Sequence, residues 1–482
     1  MYSSPPPYRP SLSTVPILPA HPIRWNPAIL HIANLLADTS NTYLVGGVVR
    51  DALRGLPISD IDLVTAADGL SVARQLANAL NGAYYPVDKE RGTGRALVVI
   101  EGASFAVDVA TFRGPDLLAD LQGRDFTVNA IASPLNALDR IVDPLDGQGD
   151  LLSRRVLRQC AESSIGSDPV RALRAVRTSL KFDLRMTPDT VEAARTAQNL
   201  LSGPDGLFQP ERVRDETFKL LSQNEPVRAL RLLVALDLLN GILPYPVPDA
   251  SMMVQLIRHV ERFSQLVTII SPRRNDNTAS DVVLGLAVMV LDRWRAQLQE
   301  HLGREITGER PYLVLAILAA LTPSSREDAG PLWADHLRLS NEEAKIITRL
   351  IGAQKGIPDR PPLDARSIHR YYREYGEAGV TGVLLWLARF SATSPTGLVD
   401  PVEWSNRLDN VAAPLLDAFF RHHQRIVSPP PFLTGEDLMQ ELSLPPGPVI
   451  GKLLTELLEA QAAGEITSRG DALAHARDML GS

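Results

Sequence analysis

Asp60 and Asp62, separated by a single residue, are the side chains of this 482-residue chain whose type and spacing speak most directly of chemistry. They lie in the run from Leu44 to Val64: an apolar strand, a Gly46-Gly47 pair, a short helix bearing Arg50 and Asp51, then a second strand. Alternate residues of a strand share a face, so the two carboxylates point together while Ile61 and Leu63 point into a core. Paired carboxylates make a hard-oxygen site of the kind Mg²⁺ prefers. Gly46 and Gly47 carry no Cβ, so a triphosphate could come against the backbone N–H groups and the start of the helix. A metal pair beside a phosphate cradle is the equipment of nucleotidyl transfer.

Three further segments carry candidates. Over 104–110, Phe105, Val107 and Val109 alternate with Ala106, Asp108 and Ala110. This presents Asp108 among small residues, either as a third acidic group beside the metal pair or on an ordinary exposed strand face. Gly123 to Ala130 reads Gly-Arg-Asp-Phe-Thr-Val-Asn-Ala. From Ser167 onward, Pro169 suits the first position of a helix and Asp168 its cap. Leu173, Val176 and Leu180 then form an apolar stripe, with Arg171, Arg174 and Arg177 every three residues on another face. Taken alone, this last segment reads as a capped amphipathic helix with a solvated arginine face.

In this order the segments resemble the motifs of the class II tRNA nucleotidyltransferase and poly(A) polymerase family. The Gly-Gly-x-x-Arg-Asp and Asp-x-Asp elements resemble its first motif and residues 123–130 its second. Asp143 to Leu151, rich in turn residues, resembles the third, a hinge, and residues 167–177 the fourth. Leu433 to Leu480, with Thr434-Gly435-Glu436-Asp437-Leu438 and Gly451-Lys452-Leu453-Leu454, is similar to the tail of bacterial members. Residues 246–427 are poorly matched, and no site is assigned there. The resemblance implies a Mg²⁺-dependent enzyme that adds all or part of the CCA at the 3′ end of tRNA from CTP and ATP. It implies that Asp60 and Asp62 hold the metal, with Asp108 assisting. Gly46, Gly47, Arg50 and Arg124 would hold the phosphates and sugar, Asp168 and Arg171 would read the base, and Arg174 and Arg177 would complete a positive wall.

Asp plus Arg suits that reading. Cytosine and adenine both present an amino donor beside an acceptor ring nitrogen; a carboxylate only accepts and a guanidinium only donates. Uracil and guanine reverse the order and leave buried groups unpaired, which costs several kcal/mol where pairing is strict. The sequence also departs from the family. Gly123 stands where an arginine is usual, and Ser167 where a glutamate usually braces the base-reading arginine. The link from Arg113 to Asp120 is short, as in relatives that add only the two cytidines. The departures lead us to expect efficient cytidine addition, poor adenosine addition and a looser template. Two alternatives remain: a poly(A) polymerase using ATP alone, and a non-catalytic RNA-binding relative, against which the retained carboxylates argue. Gly92-Thr93-Gly94 lacks the strand-to-helix setting of a dinucleotide-binding loop.

The wider chain is consistent with a multidomain globular protein. No apolar run reaches the roughly 20 residues a membrane span needs. The one cysteine, Cys160, excludes an intrachain disulfide and a Cys-rich zinc site, and no secretory leader is recognisable, so a cytoplasmic setting is expected. The net charge of −7 speaks mildly against a nucleic-acid binder, although a large acidic protein can carry a basic groove. No His-Asp dipeptide supports an attached phosphohydrolase domain. The expected fold is an α/β head, a nucleotidyltransferase-type mixed sheet with helices, followed by an all-α neck, body and tail. Strands are expected near 42–46, 58–65, 83–87, 95–101 and 104–111, and helices near 27–38 and 69–81. The expected divisions are a flexible Pro-rich tail over 1–26, a head over 27–150, a neck with the base-reading helix over 151–205, a body over 206–330, and a helical, RNA-binding C-terminal tail over 331–482.

Overall fold

The computed structural model describes residues 17–19, 23–58, 60–203, 206–247, 249–272, 282–306, 308, 310–326, 328–358, 363–393 and 399–481. The chain packs as two units, Met1–Phe208 with Ala235–Leu238, and Gln209–Val234 with Leu239–Ser482.

The first unit is built on one mixed eight-stranded sheet with the order β1-β8-β7-β2-β3-β6-β5-β4. Its strands are β1 (Ile17–Pro19), β2 (Thr42–Val45), β3 (Asp60–Thr65), β4 (Ala83–Asp88), β5 (Thr93–Ile100), β6 (Ala103–Thr111), β7 (Ala132–Pro134) and β8 (Arg140–Val142). Its helices are α1 (Pro27–Leu35), α2 (Gly47–Leu53), α3 (Gly69–Ala79), α4 (Leu117–Gln122), α5 (Ser164–Ser167), α6 (Val170–Phe182) and α7 (Pro188–Leu201). Only β3 and β6 pair in parallel; every other neighbour in the sheet is antiparallel. That crossover is made by α3 and the β4–β5 hairpin. Asp68 caps α3 by accepting from the N–H groups of Leu70 and Ser71.

α3 lies tightly on one sheet face. A Cβ on Gly94 would come within 2.8 Å of the Ala73 Cβ, so glycine is what lets helix and strand close. On that side Ala96, Val98, Val107, Val109, Ile61 and Leu63 are buried with Val72 and Leu76. β5 and β6 are joined by a tight turn with both central residues at positive φ, Glu101 (51°) and Gly102 (81°), the geometry hairpin twist favours.

The expected N-terminal division is corrected. Part of the Pro-rich N-terminal stretch belongs to the head: Ile17–Pro19 is an edge strand on β8, and Trp25 donates from Nε1 to the Leu138 carbonyl at 2.8 Å. An edge strand tolerates proline because one of its sides needs no ladder partner. Residues 1–16 and 20–22 lie outside the described residues. β7 and β8, three residues each, are too short for alternation to have revealed them.

The second unit is helical. A boundary expected at 330/331 does not divide it: helix Tyr312–Ala320 packs on helix Asn341–Ala353, and Arg310 reaches the buried Glu343 at 2.9 Å. The C-terminal helices Gly435–Glu441, Pro448–Ala463 and Arg469–Leu480 share their own core of Leu438, Leu453, Leu457, Ala460 and Ala476. They are tied to helix Ala365–Tyr375 through Glu459, which pairs with Arg370 at 2.5 Å and Arg373 at 2.6 Å. No helix among the described residues is long and apolar enough to cross a membrane.

Candidate active site

β3 carries Asp60 and Asp62 on the face opposite α3, and its parallel register sets Asp62 beside Asp108 and Asp60 beside Ala106. The carboxyl of half-buried Asp62 is pushed up to about 6 by desolvation, against the pull of Arg124 and with the push of Asp108 and Asp60. Crowded carboxylates of this kind are relieved by a cation. Asp108 is gripped side-on by Arg95, Nε to Oδ1 at 2.7 Å and Nη2 to Oδ2 at 2.8 Å. Among the described residues, no three His, Cys, Asp or Glu side chains converge as a metal cage. Mg²⁺ does not require one, since it is usually held by one or two carboxylates completed by substrate phosphates and water. The pair on β3 fits that pattern.

Gly46 closes β2 with φ of +75°. A Cβ there would lie 3.1 Å from Nη1 of Arg124 and 3.7 Å from Oδ2 of Asp62. The glycine therefore keeps open the space between the strand end, the arginine and the carboxylate. Arg124 is aimed there by Asp120, a residue the sequence reading passed over. The Asp120 carboxylate, only 1% exposed, accepts from Nε and Nη2 of Arg124 at 3.1 and 3.0 Å and from the Arg113 backbone N–H at 3.2 Å. The i,i+4 spacing of Asp120 and Arg124 was the available signal.

Arg50 is a strut. Burial lowers its pKa despite Asp51 alongside; it donates to Asp51 and Asn129 and stacks 4.1 Å from the Phe182 ring centre on α6. Asn129 in turn donates to Asp125 at 3.0 Å, and Asp125 accepts from Arg174 Nη1 at 3.1 Å and from the Phe126 N–H at 2.8 Å. A polar chain thus runs Arg50–Asn129–Asp125–Arg174, from the glycine cradle to α6. Burial works against ionisation of Asp125, yet Arg174 and these hydrogen bonds outweigh it and hold its pKa below the ordinary range.

On α6, Arg171, Arg174 and Arg177 are half-buried along one line, with Leu173 and Val176 buried on the other side and Leu180 half-buried. Asp168 does not cap this helix: Pro169 occupies the cap position without a side-chain hydrogen bond. Asp168 instead lies 3.6 Å from Arg171 Nε. Ser167 does not leave Arg171 loose. The carbonyls of Arg124 and Ser164 accept from Nη1, each at 3.2 Å, and that of Gly123 from Nη2 at 3.0 Å. Gly123, where the resemblance leads one to expect an arginine, thus supplies a backbone brace for Arg171.

The expected hinge at 143–151 is firmly tied. Asp143 accepts from the N–H groups of Gly147 and Gln148 at 2.7 and 2.8 Å. Buried Asp150 accepts from Thr127 at 2.7 Å and from Arg154 and Arg158.

A carboxylate pair, a glycine cradle faced by an arginine, and Asp168 set against Arg171 of the adjoining helix define a nucleotidyltransferase head. Residues 42–158 match the Poly A polymerase head domain, residues 183–248 the probable RNA and SrmB-binding site of polymerase A, and residues 422–476 the putative tRNA nucleotidyltransferase domain 2. The chain is 32% identical over 434 residues to the A-adding tRNA nucleotidyltransferase of Deinococcus radiodurans, covering 89% of this chain and 94% of that one. It is 28% identical to the CC-adding tRNA nucleotidyltransferase of Geobacter sulfurreducens, covering 89% and 90%. In fold it is similar to the Bacillus stearothermophilus CCA-adding enzyme in complex with CTP, with TM-score 0.61, 23% identity and coverage of 95% and 98%. The chain belongs to the tRNA nucleotidyltransferase family, and it is an enzyme of that family.

Proposed function

We propose that this enzyme adds the two cytidines of the tRNA 3′ end from CTP and uses ATP poorly for the terminal adenosine. Asp60 and Asp62 hold Mg²⁺, which when bound activates the 3′-hydroxyl and offsets charge on the leaving pyrophosphate. The backbone of Gly46 and Gly47 and the guanidinium of Arg124 receive the triphosphate, Arg124 held at its angle by Asp120. Arg50 acts behind the cradle, positioning it through Asn129. Asp168 accepts from the exocyclic amino group of the base, and Arg171 donates to its ring nitrogen. Arg174 and Arg177 supply positive charge along the same helix, and Asp108 is the third acid bordering the site. The C-terminal helices 435–480 contact the folded RNA, and the reaction runs where tRNA and nucleoside triphosphates meet, in the cytoplasm.

The observation that carries the cytidine-only reading is the link after β6. It turns directly into α4, whose cap Asp116 accepts from the Ala119 N–H at 2.9 Å. Arg113 is tied at both ends, its N–H to Asp120 and its side chain to the Gly123 carbonyl at 3.3 Å. No long loop is left there to reshape the pocket from cytidine to adenosine. Relatives with A-adding and with CC-adding names are both found, so the test is direct. The protein is incubated with tRNA ending before CCA, at C and at CC, with each labelled triphosphate alone and together. Single-turnover ATP incorporation on tRNA ending in CC, as fast as CTP incorporation on the preceding substrate, would refute the cytidine-only reading. ATP polymerised repeatedly on an unrelated RNA would favour a poly(A) polymerase instead.

A further inference from the structure

The sheet face that carries Asp60 and Asp62 has two sides. Toward β2 lie the glycine cradle, Arg124 and α6. Toward β6, β5 and β4 the described residues leave the face exposed, with Tyr85, Arg95, Leu97, Val99 and Ser104 all open to solvent. Cross-strand register lines up Asp62, Asp108, Arg95 and Tyr85 in one row, each directly opposite the next. Strands are spaced about 4.8 Å apart, so Tyr85 stands about 14 Å from the Asp62 strand. Its neighbour Tyr84 turns to the α3 side, under Arg74 at 4.7 Å, which leaves Tyr85 on the carboxylate side, 52% exposed. Leu97 and Val99 on the same face of β5 are 42% and 61% exposed. Arg95 spends Nε and Nη2 on Asp108, which orients the flat guanidinium on the sheet.

We propose that this row seats the last nucleotides of the RNA 3′ end, with Arg95 against a backbone phosphate and Tyr85 under a base. The inference rests on the reading that Asp60 and Asp62 receive the RNA 3′-hydroxyl. If the triphosphate fills the β2 side, the acceptor strand has to reach the carboxylates across β6, β5 and β4. A row about 14 Å long accommodates two or three nucleotides stacked at about 3.4 Å each, with room at either end. Single strands are held by stacking on aromatic rings beside a cation, with little regard to base identity. That suits an enzyme whose acceptor end differs from one tRNA to the next. Arg95 is thereby a binding residue that Asp108 holds in place, and Tyr85 is a binding residue three strands from the metal pair.

The experiment uses the full-length protein and a tRNA ending at the first C of the CCA, with 2-aminopurine at the unpaired position just before it. Binding without nucleotide should quench the probe with wild type and with Tyr85→Phe, and should not with Tyr85→Ala. With CTP, Tyr85→Ala should lose about tenfold in kcat/KM for tRNA, within the range one stacked base is worth, while KM for CTP stays within about twofold. Arg95→Gln should weaken tRNA binding and reduce the slope of log affinity against log salt by about 0.7. Unchanged quenching and unchanged kcat/KM for tRNA in Tyr85→Ala would overturn the proposal. So would a wild-type dimer that Leu97→Asp dissociates while tRNA kinetics stay the same, since the face would then be a self-association surface. If the wild type adds no nucleotide to any tRNA, the functional reading above fails instead, and the quenching arm reports that separately.

Discussion

Replacing Asp125 by asparagine removes a charge from the middle of the site without removing its shape. The wild-type carboxylate accepts from Arg174, Asn129 and the Phe126 N–H. An asparagine keeps one acceptor oxygen and turns an NH₂ toward a donor, so at least one of these bonds is lost. A hydrogen bond to a charged group is worth about 1.5–3 kcal/mol. Arg174 is 34% exposed, so water takes up part of the loss, and we expect about 2 kcal/mol. For a unit of this size each kcal/mol shifts Tm by about 2–4 °C, giving a drop of about 4–8 °C. Differential scanning calorimetry measures it. The sign with pH follows from the depressed carboxyl. Its stabilisation is complete above the unfolded-state value of about 4 and is lost as pH falls further. The gap between variant and wild type should therefore narrow below about pH 4. Because Arg174 would also relax on α6, discrimination of CTP against UTP should fall severalfold. A variant with wild-type Tm and wild-type discrimination would refute the idea that Asp125 joins cradle to base reader.

Asp60→Ala and Asp62→Ala should each reduce nucleotide addition more than about a hundredfold with tRNA binding retained, because metal-assisted chemistry is worth several kcal/mol; chelation of divalent cations should do the same to wild type, and rapid addition in either case would remove the metal assignment. Asp168→Ala and Arg171→Ala should raise UTP and GTP misincorporation at least tenfold, whereas Arg124→Ala should slow all four nucleotides alike, as parallel single-turnover assays would reveal. Glu459 titrates at about 2, because the hydrogen bonds from Arg370 and Arg373 outweigh the opposing desolvation. Its contribution is therefore complete above about pH 4.5 and fades between there and about 2, so Glu459→Gln should expose helix Pro448–Ala463 to proteolysis at neutral pH, with the difference from wild type shrinking in acid.

Long alternating strands made the centre of the head legible. β6 alternates Phe105, Val107 and Val109 with small or acidic residues and β3 alternates its two aspartates with Ile61 and Leu63, so the Asp-x-Asp spacing put both carboxylates on one face. The three-residue strands β7 and β8 and the proline-flanked β1 carry too little period to be read. Arg95 was readable in principle: the two-residue turn at Glu101-Gly102 fixes the hairpin register, and that register sets Arg95 opposite Asp108. Ser167 misled because the acceptors that brace Arg171 are backbone carbonyls, which leave no trace in residue types. Asp168 misled for a related reason. Proline took the cap position, and the carboxylate was left to the arginine one turn on.

The polar chain Arg50–Asn129–Asp125–Arg174 also bears on how such enzymes can be recombined. The residues proposed to take the triphosphate and those proposed to choose the base look like separate cassettes along the chain, one before residue 130 and one after 167. Physically they are a single part with an interior seam. A chimera that imports helix Val170–Phe182 from a relative of different nucleotide preference, while keeping this head, would set a foreign side chain against Asp125 and a foreign ring against Arg50. The imported preference would arrive with its phosphate cradle out of true. Exchange along this lineage is expected to succeed only when the seam travels whole, which makes these four positions a unit of inheritance wider than any one motif.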